Sequence, residues 1–296
     1  MSNLFSLEKT WTDNMRNVVM VIRLPRIVAA ILTGAALSLS GATYQGIFRN
    51  PLVSPDMLGV SYGAGVGASI AILLHMQSWG IQLFAFLFGI AAVSMAMSFP
   101  KLLRNRSTLM LVLSGVIVSN FMSSIQGLLK YIADTDTELP SIVYWLMGSL
   151  ASAKWSSIAT PFPFMLIAAS VLILLRWRIN LLSLSDLEAV SLGINAAKLR
   201  GLAIVCSTLL TASAVCISGT IVWVGLIIPH LSRLLVGEDN RRMFPASVLL
   251  GSAFMLTVDT FARNISSTEI PLSIITGIIG APVFILVLFR KKVTIS

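Results

Sequence analysis

The chain has 296 residues, of which 56% are apolar and 11% charged, and its mean hydropathy is +0.89. That lies far outside the balance of soluble domains, so the sequence predicts an all-α membrane protein, a polytopic helical bundle. The formal net charge of +9 does not indicate nucleic acid, because most of it comes from basic residues gathered on one side of the spans.

Residues 1–21 read as a polar N-terminal tail with Glu8, Lys9, Asp13 and Arg16 around the short apolar run VVMVI, and no signal peptide is expected there. The remainder, 22–296, reads as a single transmembrane domain. A crossing needs about 20 mostly apolar residues, and such runs lie at about 27–46, 57–75, 80–100, 109–129, 156–175, 201–223, 243–262 and 270–289, with a shorter piece at 224–236. That predicts about nine passes. Lys and Arg number 21; threading the chain through alternate sides puts Arg49, Lys101, Arg104, Arg106 and ten others on one side and seven on the other. The richer side, with the C-terminus, is assigned to the cytoplasm by the positive-inside rule.

Arg23 and Arg26 therefore stand outside, at the start of IRLPRIVAAILTG. The residues leave two readings open: anchors reaching for an interface, or a docking point for something acidic. Next, NPLVSPDMLG (50–59) forms a tight cytoplasmic turn around Asn50, Pro51 and Pro55, with Asp56 placed to cap the following helix. SYGAGVGAS then offers a small-residue face for close helix contact. Residues 134–155 begin acidic and become apolar over a run too short to cross, which suits a re-entrant or interfacial helix. The longest polar interval is 176–201. Within it SLSDLEAVSLG reads as a capped short helix ending at Gly193 and INAAKLR as a second. This surface fits a protein partner; an amphipathic helix resting on lipid is the alternative, against which Asp186 and Glu188 count, since anionic headgroups repel them.

Two stretches repeat. SGATYQGIFRNP places Ser40-Gly41 before Pro51 with the spacing by which Ser218-Gly219 precede Pro229 in SGTIVWVGLIIP. The copies lie on spans of opposite direction, as an inverted internal repeat requires. The halves are about 22–180 and 201–292, with 184–200 between them.

Chemistry is thin. There is no P-loop sequence, and His75 and His230 lack companions at metal-ligand spacing, so neither a bound nucleotide nor a metal is expected. Cys206 and Cys216, ten residues apart on one predicted helix, stand about 15 Å apart and cannot pair. Asp259 is the lone intramembrane acid. A transporter without its own energy-coupling residues needs an energised partner; a stand-alone secondary transporter would rest on Asp259, and a membrane enzyme has no polar cluster to use.

Taken together, RLPRIVAAILTGAALSLSGATYQGIFRNPLVSPDMLGVSYGAGVGA, LSLSDLEAVSLG, GTIVWVGLIIPHLSRLLVGEDNRR and EIPLSIITGIIGAPVFILVLFRKK closely resemble the FecCD-type permease subunits of bacterial iron-siderophore, haem and vitamin B12 ABC importers. The resemblance runs from about residue 20 to the end. It implies a permease without covalent chemistry in the bacterial cytoplasmic membrane, bathed in lipid and working by alternating access. Its implied partners are a second permease subunit, two cytoplasmic ATPases that bind ATP and Mg, and an extracytoplasmic binding protein. The implied cargo is a ferric siderophore, with haem or a cobalamin as alternatives. By the same resemblance Arg23, Arg26 and Arg263 match outer arginines that meet acids of the binding protein. Ser185, Asp186, Glu188, Ala189 and Gly193 fall in the coupling helices that fit the ATPase cleft, and Ser107 and Thr108 align with a cytoplasmic gate. Gly41, Asn50, Pro51, Pro55, Gly219 and Pro229 are expected to serve packing and turns. The family usually has ten spans; here the helix before RLPR is missing, which predicts nine and an outside N-terminus.

Overall fold

The computed structural model describes residues 12–104, 107–183, 195–266 and 268–293, with 286–293 by backbone alone. Every regular element among them is helical. A short helix α1 (Asp13–Asn17) passes through a π turn at Val18–Arg23 into α2 (Leu24–Phe48), giving one helical run from Asp13 to Phe48. After it come α3 (Val60–Leu73), α4 (Ser78–Leu102), α5 (Thr108–Ile132), α6 (Glu138–Met147), α7 (Trp155–Ala159), α8 (Phe162–Asn180), α9 (Ala196–Ser218), α10 (Val224–Val236), α11 (Asn240–Asn264) and α12 (Leu272–Val293). Six of the helical runs are long and apolar enough to cross a bilayer; α3, α10 and the first part of α12 are shorter apolar helices. The chain is an all-helical polytopic membrane protein.

Several boundaries differ from the sequence expectation for identifiable reasons. Residues 13–21 are helical rather than a loose tail, started by Thr12, whose hydroxyl accepts from the Met15 amide. Pro25 cannot donate to the preceding turn and its ring crowds the carbonyl there, which accounts for the widened π turn just before it. Residues 195–200 are not a separate helix: Asn195 accepts from Lys198 N at 3.0 Å and so opens α9, which takes in Lys198 and Arg200 as its first turn. At the other end α9 stops at Gly219, where φ is +69°, and the chain is not helical again until Val224. Asp56 does not cap a helix amide; it sits in the 3-10 turn Pro55–Leu58 and its carboxylate accepts from the Ser61 hydroxyl. The span expected at 156–175 is broken at Pro161 into α7 and α8.

Helix α2 is the hub. In lipid there is no hydrophobic gain from helix association, so helices meet where small residues let backbones approach and hydroxyls find partners. Toward α10, a Cβ added at Gly41 would stand 1.8 Å from the carbonyl oxygen of Gly225. Toward α11, one added at Gly34 would stand 2.1 Å from that of Gly251. Toward α9 the contact is polar: Ser40 Oγ donates to the Ser207 carbonyl at 3.0 Å and lies 2.7 Å from Thr211 Oγ1, while the Tyr44 hydroxyl is 3.3 Å from Thr208 Oγ1. The α9 threonines also donate to carbonyls one turn back, Thr208 to Ile204 and Thr211 to Ser207. That is how the Thr208 and Thr211 hydroxyls are buried with partners, whereas the buried Ser207 and Ser213 hydroxyls have none among the described residues. Pro55 closes the hub by packing on Gly225.

Candidate functional site

The two ends of the bundle differ in charge. One, here the basic end, gathers Arg49, Arg176, Arg178, Arg233, Arg241 and Arg242; the opposite, mixed-charge end carries Arg23, Arg26 and Arg263 together with Asp134, Glu138 and Glu269.

At the mixed-charge end the three arginines of the sequence reading do not share one environment. Arg23 is exposed on the π turn. Arg26, one turn further on, faces the bundle with only 7% of its surface exposed. Its Nε donates to both Asp259 carboxylate oxygens at 2.9 and 3.2 Å, Nη2 lies 2.9 Å from Asp259 Oδ1, and Nη1 donates to Glu269 Oε1 at 2.6 Å. Arg263, partly exposed, places Nε 3.3 Å from Asp259 Oδ2. The acid that looked like an ion-coupling candidate is thus held between two guanidinium groups. Asp259 is 1% exposed, and its burial is tolerable because it is charge-paired and hydrogen-bonded. Sequence reasoning missed this role. The i,i+4 spacing of Asp259 and Arg263 was a usable signal; nothing local marked Glu269.

Close by, α6 forms the expected short non-crossing helix. Its entry is fixed by Asp134, whose carboxylate accepts from the Thr137 hydroxyl and from the Thr137 and Asp136 amides. The Thr137 contacts, hydroxyl first, hold that carboxyl below its ordinary range. His75, in the α3–α4 turn, lies 3.5 Å from Glu138. The exit of α6 is stitched to two other elements by backbone. Gly148, at φ +71°, accepts through its carbonyl from Leu272 N at 3.0 Å, and Ser149 N donates to the Ser218 carbonyl at 2.8 Å. A Cβ on Gly219 would meet the Trp145 carbonyl at 2.3 Å, so this seam requires glycine.

The basic end encloses a cavity of about 700 Å³ between α2, α8, α10 and α11, lined among others by Gln45, Arg49, Asn180, Arg233, Glu238 and Asp239. Arg233 donates to the Gln45 side chain, which itself donates to the Leu226 carbonyl at 3.1 Å, and Arg49 donates to the Leu182 carbonyl at 2.7 Å. Asp239 accepts from Arg241 N at 2.9 Å and from the Asn180 amide at 2.6 Å. Those two contacts, the backbone one first, hold its carboxyl below the usual range. In this way GEDNRR starts α11 and clips it to the end of α8. His230, 6% exposed, sets its ring edge-on to Phe284 with centroids 6.5 Å apart. Asn50 accepts from Leu52 N at 2.9 Å and shapes the turn through Pro51, and Pro229 lies buried within α10.

Ser107 caps α5, its hydroxyl accepting from Met110 N at 3.2 Å, and Thr108 opens that helix at the basic end. Ser185, Asp186, Glu188, Ala189 and Gly193 lie outside the described residues.

The sequence matches the FecCD transport family over residues 1–290, and the chain belongs to that family. It is a permease subunit of an ABC importer in a bacterial inner membrane and is not itself catalytic; ATP is hydrolysed on a partner ATPase. Among its relatives, the molybdate import system permease protein MolB of Haemophilus influenzae is 46% identical over 277 residues, covering 94% of this chain and 82% of that one. The "Probable iron chelatin transport system permease protein" of Helicobacter pylori strain 26695 is 42% identical over 275 residues, covering 93% and 83%. A solved structure described as "An inward-facing conformation of a putative metal-chelate type ABC transporter" superposes with a TM-score of 0.91 at 44% identity, covering 96% of this chain and 91% of that one.

Proposed function

We propose that this permease carries a ferric siderophore or similar iron chelate inward across the cytoplasmic membrane, paired with a second permease subunit, driven by two ATPases and supplied by an extracytoplasmic binding protein. The observation that carries the reading is the polarity of the bundle: fourteen of 21 Lys and Arg on one side, and an arginine–carboxylate cluster on the other. With the basic end in the cytoplasm, the about nine passes run as an inverted repeat whose second half begins at α9. The C-terminus is then inside. The mixed-charge end meets the binding protein, and residues 184–200, with Ser185, Asp186, Glu188, Ala189 and Gly193, meet an ATPase as coupling helices. Ser107 and Thr108 then lie where a cytoplasmic gate would close.

A second cargo, molybdate, is favoured by the 46% identical relative; haem and cobalamin are further alternatives. Proteoliposome uptake decides: radiolabelled ferric chelate taken up and molybdate excluded supports the first reading, and the reverse pattern replaces it. In either case Glu188→Arg is expected to remove at least about 90% of ATP-driven uptake and to abolish ATPase co-purification, because a reversed charge opposes the group on the partner that the glutamate would face. Uptake that survives without any ATPase would favour a secondary transporter.

The arginines give a separate expectation. On this reading exposed Arg23 and partly exposed Arg263, at the same end of the bundle, face the carboxylates of the binding protein. Arg23→Glu with Arg263→Glu is expected to weaken docking about tenfold at low salt, with the difference shrinking as salt rises. Surface plasmon resonance over a salt series checks it; unchanged docking would make these residues interface anchors.

A further inference from the structure

Glu269 occupies the position on Arg26 that a docking partner's carboxylate would take. The guanidinium is held from within by Asp259, whose side chain is 2% exposed, and its Nη1 edge is covered by Glu269, whose side chain is 37% exposed. The cluster of Arg26, Arg263, Asp259 and Glu269 is neutral as a whole, and Glu269 is its rim member. It sits on a short loop after α11, where Ile270 N donates to the Ala262 carbonyl at 3.2 Å.

We propose that Glu269 is an internal stand-in carboxylate, displaced from Arg26 when an acidic residue of the delivery protein docks, and that its departure frees the stretch 268–271. This rests on the docking role proposed above. The exchange trades one carboxylate for another on the same guanidinium, so at no stage is Arg26 left as an unpaired buried charge; Asp259 stays in place throughout. The loop leads straight to the outer seam. Leu272, one residue past Pro271, donates to the Gly148 carbonyl, and the next residue, Ser149, is hydrogen-bonded to Ser218 at the end of α9. Arrival of the carrier is thereby felt where α6, α9 and α12 meet, and an empty transporter keeps both its arginine and its seam closed.

The test uses the full transporter in nanodiscs, with the extracytoplasmic binding protein proposed above as probe and a spin label at Thr268→Cys. Thr268 is exposed, whereas Cys206 and Cys216 are 5% and 4% exposed and stay unlabelled. In the wild-type background the label is expected to become more mobile on docking. In Glu269→Gln it is expected to be mobile already, with docking tightened about three- to fivefold, the scale of one partly exposed ion pair. If Glu269→Gln fails to fold, Glu269→Asp, whose shorter side chain loosens the contact, is expected to shift both readings in the same direction. A label that does not respond to docking, or an unchanged Kd in the Glu269 variant that folds, overturns the stand-in role. Where Arg23→Glu with Arg263→Glu leaves docking untouched, the docking reading itself fails instead.

Discussion

Asp259→Ala is expected to destabilise the protein by about 3–5 kcal/mol, the cost of leaving a buried charge without its partner. Arg26 is nearly enclosed, and Asp259 supplies both of the carboxylate oxygens that its Nε reaches and the one that its Nη2 reaches. Glu269 then remains on one edge of Arg26 alone, and Arg263 loses its carboxylate contact. Adding Arg26→Met should recover most of the loss, because an apolar side chain of similar volume needs no counter-charge. Unfolding in mixed detergent micelles compares the single and double variants. Equal destabilisation of the two would mean that packing of the α2–α11 end, not charge pairing, holds this region.

Gly41→Val is expected to prevent accumulation of folded protein, with a cost above about 3 kcal/mol. The atom that any side chain would strike, the Gly225 carbonyl oxygen 1.8 Å from the Cβ position, is backbone and cannot swing aside. Moving α10 away would unseat Pro55, which packs on the same Gly225. Gly127→Ala in α5 is the control: a Cβ there meets nothing within 4 Å, and the helix is expected to gain about 0.5–1 kcal/mol. Fluorescence-detected size-exclusion of tagged variants reads both. A well-folded Gly41→Val would show that α2 and α10 separate more easily than their contact implies.

How much of this was legible in the sequence depends on the range of the interaction. The spans were readable because apolar length is a local quantity, and so was the short non-crossing helix at Glu138–Met147. Their ends shifted where single side chains decide: Asn195 draws polar residues into α9, and Pro25 and Pro161 bend or break what composition reads as uniform. The Ser-Gly-Pro spacing leads to the expectation of an inverted repeat, but it does not reveal that Gly41 lies on Gly225. The arginines were the hardest. Loop counting assigns Arg26 a side of the membrane, yet its environment is set by Asp259, 233 residues away, and by Glu269, 243 residues away. Charge alone cannot distinguish Arg23, open to solvent, from Arg26, already partnered. Asp259 stands out in the sequence as the lone intramembrane acid, but nothing local shows that two arginines hold it.

The hub at α2 limits how such a subunit can change shape. Three neighbours grip one rod along different stripes, two through touching glycines and one through a hydroxyl ladder, so sliding any of them would tear polar contacts or drive backbone into backbone. With the proposed second subunit, the motion that opens a passage to one side and then the other falls between the two subunits and not inside this hub. On that reading the hub tilts as a unit, and cysteines introduced at Ser40 and Thr211, whose hydroxyls lie 2.7 Å apart, and bridged by a short cross-linker should leave the transport cycle running.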